Sequence, residues 1–169
     1  MQKFALILGT CLTTISCLFN QPLLAEIPSI PKPSDAPLEL DLLTNPQSSA
    51  ITANTIDQRQ VSVPSLWWIK ETSEKKLLDN WIAYPFNNHQ PARVDVIVNQ
   101  QIWSLLDYLE RYDFINSLGD IARTYGYNIR IFNYQQERLA SYTCNFKIKP
   151  SLCRIEINSQ SNFGLRNSF

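Results

Sequence analysis

The sequence RVDVIVN, residues 93–99, has the alternation of a β-strand and begins the unit that decides the fold. Alternate residues share a face, with Val94, Val96 and Val98 on one face and Arg93, Asp95 and Ile97 on the other. A long region with helical spacing follows, and YNIRIFNY, residues 127–134, then restarts an extended pattern. A strand, a helical crossover and a second strand predict a right-handed unit in which the two strands are parallel.

The crossover carries two apolar stripes that are out of phase with each other. The first stripe consists of Ile102, Leu105, Leu106 and Leu109, and the second of Phe114, Leu118, Ile121, Ala122 and Tyr125. The change of phase predicts two helices with a break near Tyr112 and Asp113, where Asp113 would cap the second helix. Gly126 follows at the position where a left-handed residue closes a helix.

A further helix is predicted before this unit. Ser65 is a suitable cap, and Pro85 would end the helix. Between them, EKKLLDNWIAYP, residues 74–85, places four apolar residues at helical spacing, namely Leu77, Leu78, Trp81 and Ile82.

Two more strands are predicted after the unit, in RLASYTCNF, residues 138–146, and in LCRIEIN, residues 152–158. Their short connections favour antiparallel hairpins. The predicted fold class is therefore α/β, more narrowly α+β. We expect an N-terminal helix followed by β-α-α-β-β-β, with a small mixed sheet covered by helices on one face.

The length of 169 residues, with 44% hydrophobic and 11% aromatic residues, predicts one domain with a packed core. This domain is expected to span residues 61–158. A proline-rich, flexible leader is predicted at residues 26–60, where LELDLL, residues 38–43, is the only patch that could dock on another surface. A flexible tail is predicted at residues 159–169.

Residues 1–25 have the pattern of a cleaved export signal, with Lys3 followed by an apolar stretch, a polar break and the small residue Ala25. An uncleaved anchor is the alternative, disfavoured because hydroxyl and amide side chains interrupt the apolar stretch. Lipid attachment at Cys17 is a further alternative. Loss of Lys3 would leave 14 basic and 15 acidic residues, a net charge of −1, which does not favour nucleic-acid binding.

Removal of the signal leaves Cys144 and Cys153, an even pair that predicts a disulfide in an exported chain. Two buried free thiols are the alternative. The disulfide would fix the register of the last hairpin, with Phe146 opposite Ser151. No metal site is predicted, because His89, the only histidine, is far from this pair in sequence.

Few residues favour catalysis. His89 is the only available imidazole, and four glycines leave no phosphate-binding loop, so neither a nucleophilic triad nor a nucleotide cofactor is predicted. A small hydrolase would need Asp95 paired with a carboxylate of the following helix, namely Asp107, Glu110 or Asp113. Arg130, however, is expected beside Asp95 on the neighbouring strand. The favoured interpretation is therefore a surface ion pair that contributes about 0 to 1 kcal/mol to stability. We accordingly predict that the protein is not an enzyme.

The four tryptophans have different predicted roles. Trp81 and Trp103 follow apolar patterns and are predicted to be in the core. Trp67 and Trp68 are adjacent, and neighbouring side chains on a helix point about 100° apart. One of the two is therefore expected to enter the core while the other contacts a protein partner, which makes Trp67 and Trp68 the candidate binding residues. The alternative is contact with a membrane surface through the same helix.

Five stretches of the chain resemble a family of short exported proteins found in cyanobacteria: VPSLWWIKE, KLLDNWIAYP, RVDVIVN, WSLLDYLERYDFINSLGDIARTYGYNIRIFN and ASYTCNF. The resemblance covers residues 61–146. It implies the periplasm or the thylakoid lumen as the compartment, and it carries over no activity, cofactor or functional residue. The predicted function is thus an exported, non-catalytic accessory or protein-binding domain.

Overall fold

The computed structural model describes residues 29–46, 50–53, 55, 77–87 and 90–158. The strands are Ile51–Thr52 (β1), Leu78–Tyr84 (β2), Arg93–Val98 (β3), Asn128–Phe132 (β4), Arg138–Asn145 (β5) and Leu152–Ile157 (β6). The helices are Gln100–Leu105 (α1) and Tyr108–Thr124 (α2), and Leu40–Leu43 form a 3-10 helix. All six strands form one sheet in the order β1-β2-β3-β4-β5-β6. Within these ranges no helix has the length and apolar character that crossing a membrane requires.

The predicted parallel pair lies at the centre of the sheet. β3 and β4 run parallel, are joined by the two helices, and place Asp95 opposite Arg130. Every other pair of neighbouring strands in this sheet is antiparallel. Helix α2 packs on one face of the sheet through Ile115, Leu118 and Ala122. The predicted α+β fold with a mixed sheet is therefore confirmed.

The stretch Leu78–Tyr84, predicted to end an N-terminal helix, is strand β2, so this part of the prediction is wrong. Its helical spacing has two physical causes. A β-bulge between Leu78 and Asn80 shifts the alternation, and Leu78 consequently shares the core on the α2 side with Trp81. Ile82 belongs to a second buried cluster, so both faces of this strand need apolar side chains.

The break between the helices lies earlier than predicted, at Leu106 and Asp107 and not at Tyr112 and Asp113. Asp107 and Glu110 form a capping box at this point. The Asp107 carboxylate accepts a hydrogen bond from the Glu110 amide at 2.8 Å, and the Glu110 carboxylate accepts one from the Asp107 amide at 3.0 Å. These reciprocal bonds satisfy two backbone donors, so Asp107 begins α2.

The early break changes which side chains are buried. The buried residues of α2 are Ile115, Leu118, Gly119 and Ala122. A second group, predicted in part to be buried, is instead exposed and forms what we call the helical apolar surface: Leu105, Tyr108, Leu109 and Tyr112. The predicted helix stop is confirmed, because Gly126 has a φ of 78°, a conformation that favours glycine.

The core between the helices and the sheet contains Trp81 and Trp103, and both are buried as predicted. Gly119 of α2 lies directly against the ring of Tyr142 on β5. A Cβ atom at position 119 would be 2.2 Å from Tyr142 Cδ2. The absence of a side chain at Gly119 therefore allows the helix to approach the sheet closely.

Gly119→Ala is expected to lower the free energy of unfolding by about 1 to 3 kcal/mol, because the buried Tyr142 ring must move. The gain of about 1 kcal/mol that alanine brings to a helix offsets only part of the cost of moving the ring. Urea denaturation would measure the change, with exposed Ser117→Ala in the same helix as the control. A Gly119→Ala variant as stable as the wild type would show that the ring adjusts without cost.

The opposite face of the sheet is covered by residues 29–46, which we call the covering segment. The buried cluster on this face consists of Leu38, Leu42, Ala50, Ile82, Ile97 and Phe132. LELDLL, residues 38–43, the one part of the predicted leader expected to be able to dock on another surface, is packed on the sheet of its own chain. The composition of the leader indicates too little apolar area for the leader to form a core of its own. Leu38 and Leu42 are nevertheless buried, because they pack against apolar side chains of the sheet.

Several predictions concern residues that the structure does not describe. These are the export signal at residues 1–25 with Cys17, the helix cap Ser65, the candidate binding residues Trp67 and Trp68, His89, and the tail at residues 159–169.

Candidate functional site

Asp95 and Arg130 form a buried ion pair beneath the covering segment. The Arg130 guanidinium donates from Nε to Asp95 Oδ1 at 2.7 Å and from Nη2 to Asp95 Oδ2. The Asp95 side chain is 0% exposed and the Arg130 side chain is 2% exposed. The predicted pairing is confirmed, but the prediction of a surface pair is wrong because a second layer of chain lies over these strands.

The same guanidinium holds the covering segment to the sheet. Arg130 Nη1 donates to the Ser34 carbonyl at 2.9 Å and also to the Ala36 carbonyl. Arg138 on the adjacent strand donates to the Ser34 carbonyl at 3.3 Å. One buried arginine therefore links β3, β4 and the covering segment, and its hydrogen bonds offset part of the cost of burying the charge.

This arrangement separates the carboxylates that a hydrolase would need. Asp95 faces the covering segment, whereas α2, which begins with the capping box of Asp107 and Glu110, packs on the opposite face of the sheet. Asp113 lies in α2 as well. Both Asp95 oxygens accept hydrogen bonds from Arg130. The structure therefore does not bring together the predicted carboxylate pair.

Arg93 lines a polar pocket of about 390 Å³ next to this ion pair. Its guanidinium carbon lies 3.9 Å from the centroid of the Tyr84 ring, and its Nε lies 3.6 Å from Asp95 Oδ2. Two buried arginines thus share one buried carboxylate. Glu39 of the covering segment lines the same pocket and supplies further negative charge. Burial, reinforced by the charges of Asp95 and Glu39, raises the pKa of the Tyr84 hydroxyl.

A larger pocket, of about 600 Å³, lies at the end of the sheet where β3 and β4 begin and β5 ends. We call it the end pocket. Six of its wall residues are aromatic or proline, contributed by five separate parts of the chain: Pro31, Phe86, Pro91, Tyr125, Tyr127 and Phe146. A concave surface with this composition is typical of a binding site.

The covering segment contributes one wall of the end pocket through Pro31. Nearby, the Ser29 carbonyl accepts a hydrogen bond from Asn145 Nδ2 at 2.9 Å, and Asn145 also lines the pocket. Residues 29–39 contain neither helix nor strand, and the rings of Pro31 and Pro33 fix φ near about −65°, a value that suits a polyproline II chain. A proline-containing stretch without helix or strand thus forms one wall of a pocket whose other walls include four aromatic residues.

Several rings of the end pocket remain accessible to solvent. Phe86 is 73% exposed and Tyr125 is 46% exposed. Burial raises the pKa of Tyr127, so its hydroxyl remains a hydrogen-bond donor beyond the ordinary pH range of tyrosine. The pocket therefore combines exposed aromatic rings with a lining that includes one partly buried tyrosine, Tyr127.

The predicted disulfide between Cys144 and Cys153 is confirmed, with an S–S distance of 1.99 Å. It joins β5 to β6, and Asn145 pairs with Leu152 in the predicted register. Cys144 also lines the end pocket. The disulfide thus holds β6 to β5, the strand that leads to Phe146 in the wall of the pocket.

Sequence reasoning missed the end pocket because its walls come from separate loops. One signal was present: Phe86 follows Pro85, and Tyr125 and Tyr127 flank Gly126. Aromatic residues at chain reversals are less readily explained by the core than those inside strands and helices.

Comparison of the chain with protein-family models, curated proteins and solved structures gave no significant match. The function proposed for this protein therefore rests on the geometry of its own residues.

Proposed function

We propose that this protein is an exported, non-catalytic binding domain that holds an extended, proline-containing segment of a partner protein in the end pocket. One observation carries the proposal: Pro31, in a stretch of the protein's own chain that is neither helix nor strand, lines the pocket together with four aromatic residues. The partner segment would occupy the open space beside Pro31 in the same way.

The size and chemistry of the end pocket suit such a segment. A polyproline II chain has few conformations to lose on binding, and its proline rings dock against aromatic side chains. Phe86 and Phe146 supply apolar rings on two sides of the space, and Tyr127 supplies a donor for the unpaired carbonyls of an extended chain. The volume of about 600 Å³ accommodates a few residues.

Two further features support an exported compartment. The Cys144–Cys153 disulfide is compatible with an oxidising environment, and residues 1–25 have the pattern of an export signal. The periplasm or the thylakoid lumen is the compartment that we propose.

A synthetic peptide that repeats the Ile-Pro-Lys-Pro sequence of residues 30–33 is expected to bind the full-length protein in isothermal titration calorimetry. Phe86→Ala and Phe146→Ala should each weaken binding about tenfold, because aromatic anchors dominate such interfaces. Both side chains are at the surface, so the variants should fold.

Two controls define the site. Leu105→Ala removes an exposed apolar side chain from the helical apolar surface and should leave peptide binding unchanged. A peptide with alanine at every proline should not bind. Equal binding of both peptides, or unchanged binding by the Phe86 and Phe146 variants, would refute the proposal.

Trp67 and Trp68 remain predicted partner contacts. Trp67→Ala and Trp68→Ala belong in the same titration, since a loss of binding in either variant would extend the peptide site to these residues.

A further inference from the structure

β6 is an edge strand, and within the part of the chain that the structure describes it pairs only with β5. The amide of Asn158, directly after β6, donates to the Leu139 carbonyl of β5 at 2.8 Å. Backbone groups of successive residues in an antiparallel strand point to alternate sides. The even-numbered residues of β6 therefore bond to β5, and the backbone groups of Cys153, Ile155 and Ile157 point outward.

The side chains of β6 follow the same alternation. Arg154 and Glu156 are exposed on the face away from α2, with Arg154 Nε 3.5 Å from Glu156 Oε1. Ile155 and Ile157 are half-buried on the core side. The edge thus presents a row of outward backbone groups between a charged face and an apolar face.

We propose that β6 pairs antiparallel with β6 of a second copy of this chain, about a two-fold axis at Ile155. In this register Ile155 lies opposite its own equivalent, and Cys153 lies opposite Ile157 of the partner subunit. Arg154 then lies opposite Glu156 of the partner subunit, and the symmetry repeats this contact once more. The sequence of the strand is therefore complementary to itself.

Backbone hydrogen bonding and charge select this register together. The outward groups of Cys153, Ile155 and Ile157 each meet their counterparts in a hydrogen-bonded pair. Opposite charges placed directly across a strand pair are stabilising, whereas like charges are destabilising. A two-residue slip of the register would separate Arg154 from Glu156 of the partner subunit, and a one-residue slip would move every side chain to the wrong face.

The two-fold axis also closes the assembly. The other edge of the described sheet is β1, which has only two residues, and it offers little for a further copy to extend. Pairing through β6 would cover the half-buried Ile155 and Ile157 and leave the end pocket in each copy open.

Sedimentation equilibrium over a range of protein concentrations would test the proposal on the full-length protein. The wild type is expected to form a dimer. Arg154→Glu and Glu156→Arg should each weaken the dimer about tenfold or more, because each places like charges across the axis twice. The double variant Arg154→Glu/Glu156→Arg restores opposite charges and should dimerise like the wild type.

Rescue by the double variant would distinguish a weakened interface from a general loss of stability. Both side chains are about half exposed, so circular dichroism and thermal unfolding should match the wild type at low concentration in all three variants. A wild-type protein that stays monomeric throughout, or a double variant as weak as the single ones, would overturn the proposal. Dimerisation should be unchanged in the Phe86→Ala variant. The proposal of a dimer and the proposal of peptide binding can therefore be refuted separately.

Discussion

Asp95→Ala is expected to lower the free energy of unfolding by about 3 to 5 kcal/mol, the largest effect of any single change considered for this protein. The substitution removes the one carboxylate shared by the buried guanidinium groups of Arg130 and Arg93. Two buried positive charges would then lie close together without a buried counter-charge. Chemical denaturation of the purified protein would measure the loss.

The matched control is Asp120→Ala. Asp120 Oδ1 lies 3.2 Å from Arg123 Nη2, but both side chains are about half exposed. Removal of the Asp120 carboxylate should therefore lower the free energy of unfolding by less than about 1 kcal/mol. Hydrogen exchange gives a second readout, because Asp95→Ala should increase exchange in the covering segment, whose Ser34 and Ala36 carbonyls accept hydrogen bonds from Arg130. Similar losses for the two variants would contradict the assignment of a buried pair.

Removing the disulfide is expected to have the next largest effect. The double variant Cys144→Ser/Cys153→Ser should be less stable than the wild type by roughly 2 to 3 kcal/mol, because the unfolded chain gains the entropy of an open loop. The bond closes a short loop, with a sequence separation of 9, and joins β6 to the rest of the sheet.

Reduction of the wild type provides the comparison for this variant. Wild-type protein with both thiols free should unfold at the same urea concentration as the double serine variant, and the reductant should not affect the variant itself. A reduced wild type that kept its full stability would show that strand pairing alone holds β6 in place.

The central unit of the fold was predictable because its signals are local. The valine alternation in β3 and the glycine after α2 depend only on nearby residues. β2 was not predictable in the same way, because a bulge at Leu78 and burial on both faces imitate helical spacing. The position of the helix break depended on a choice between Asp107 and Asp113, which the Glu110 side chain decided.

The ion pair illustrates what sequence reasoning can and cannot supply about a site. Strand register alone placed Asp95 beside Arg130. Their burial depends on the covering segment, whose carbonyl groups at Ser34 and Ala36 come from a distant part of the chain and are present in any sequence. The end pocket was hidden for a similar reason, since tertiary structure alone brings Pro31 to Phe86 and Phe146.

The attachment of the covering segment has a consequence for how this sequence can vary. Arg130 recognises main-chain carbonyls at Ser34 and Ala36, and every amino acid provides a carbonyl at those positions. Substitution of either side chain therefore leaves both carbonyls available to Arg130, although a change at Ser34 also removes the hydrogen bond that its Oγ accepts from the Ala36 amide. Arg130 has no such freedom, because a lysine could not bond both Asp95 oxygens and two carbonyls from one planar group. The segment thus tolerates change in its own side chains at these two positions, while its attachment depends on particular side chains of the sheet, namely Arg130, Arg138 and Asn145.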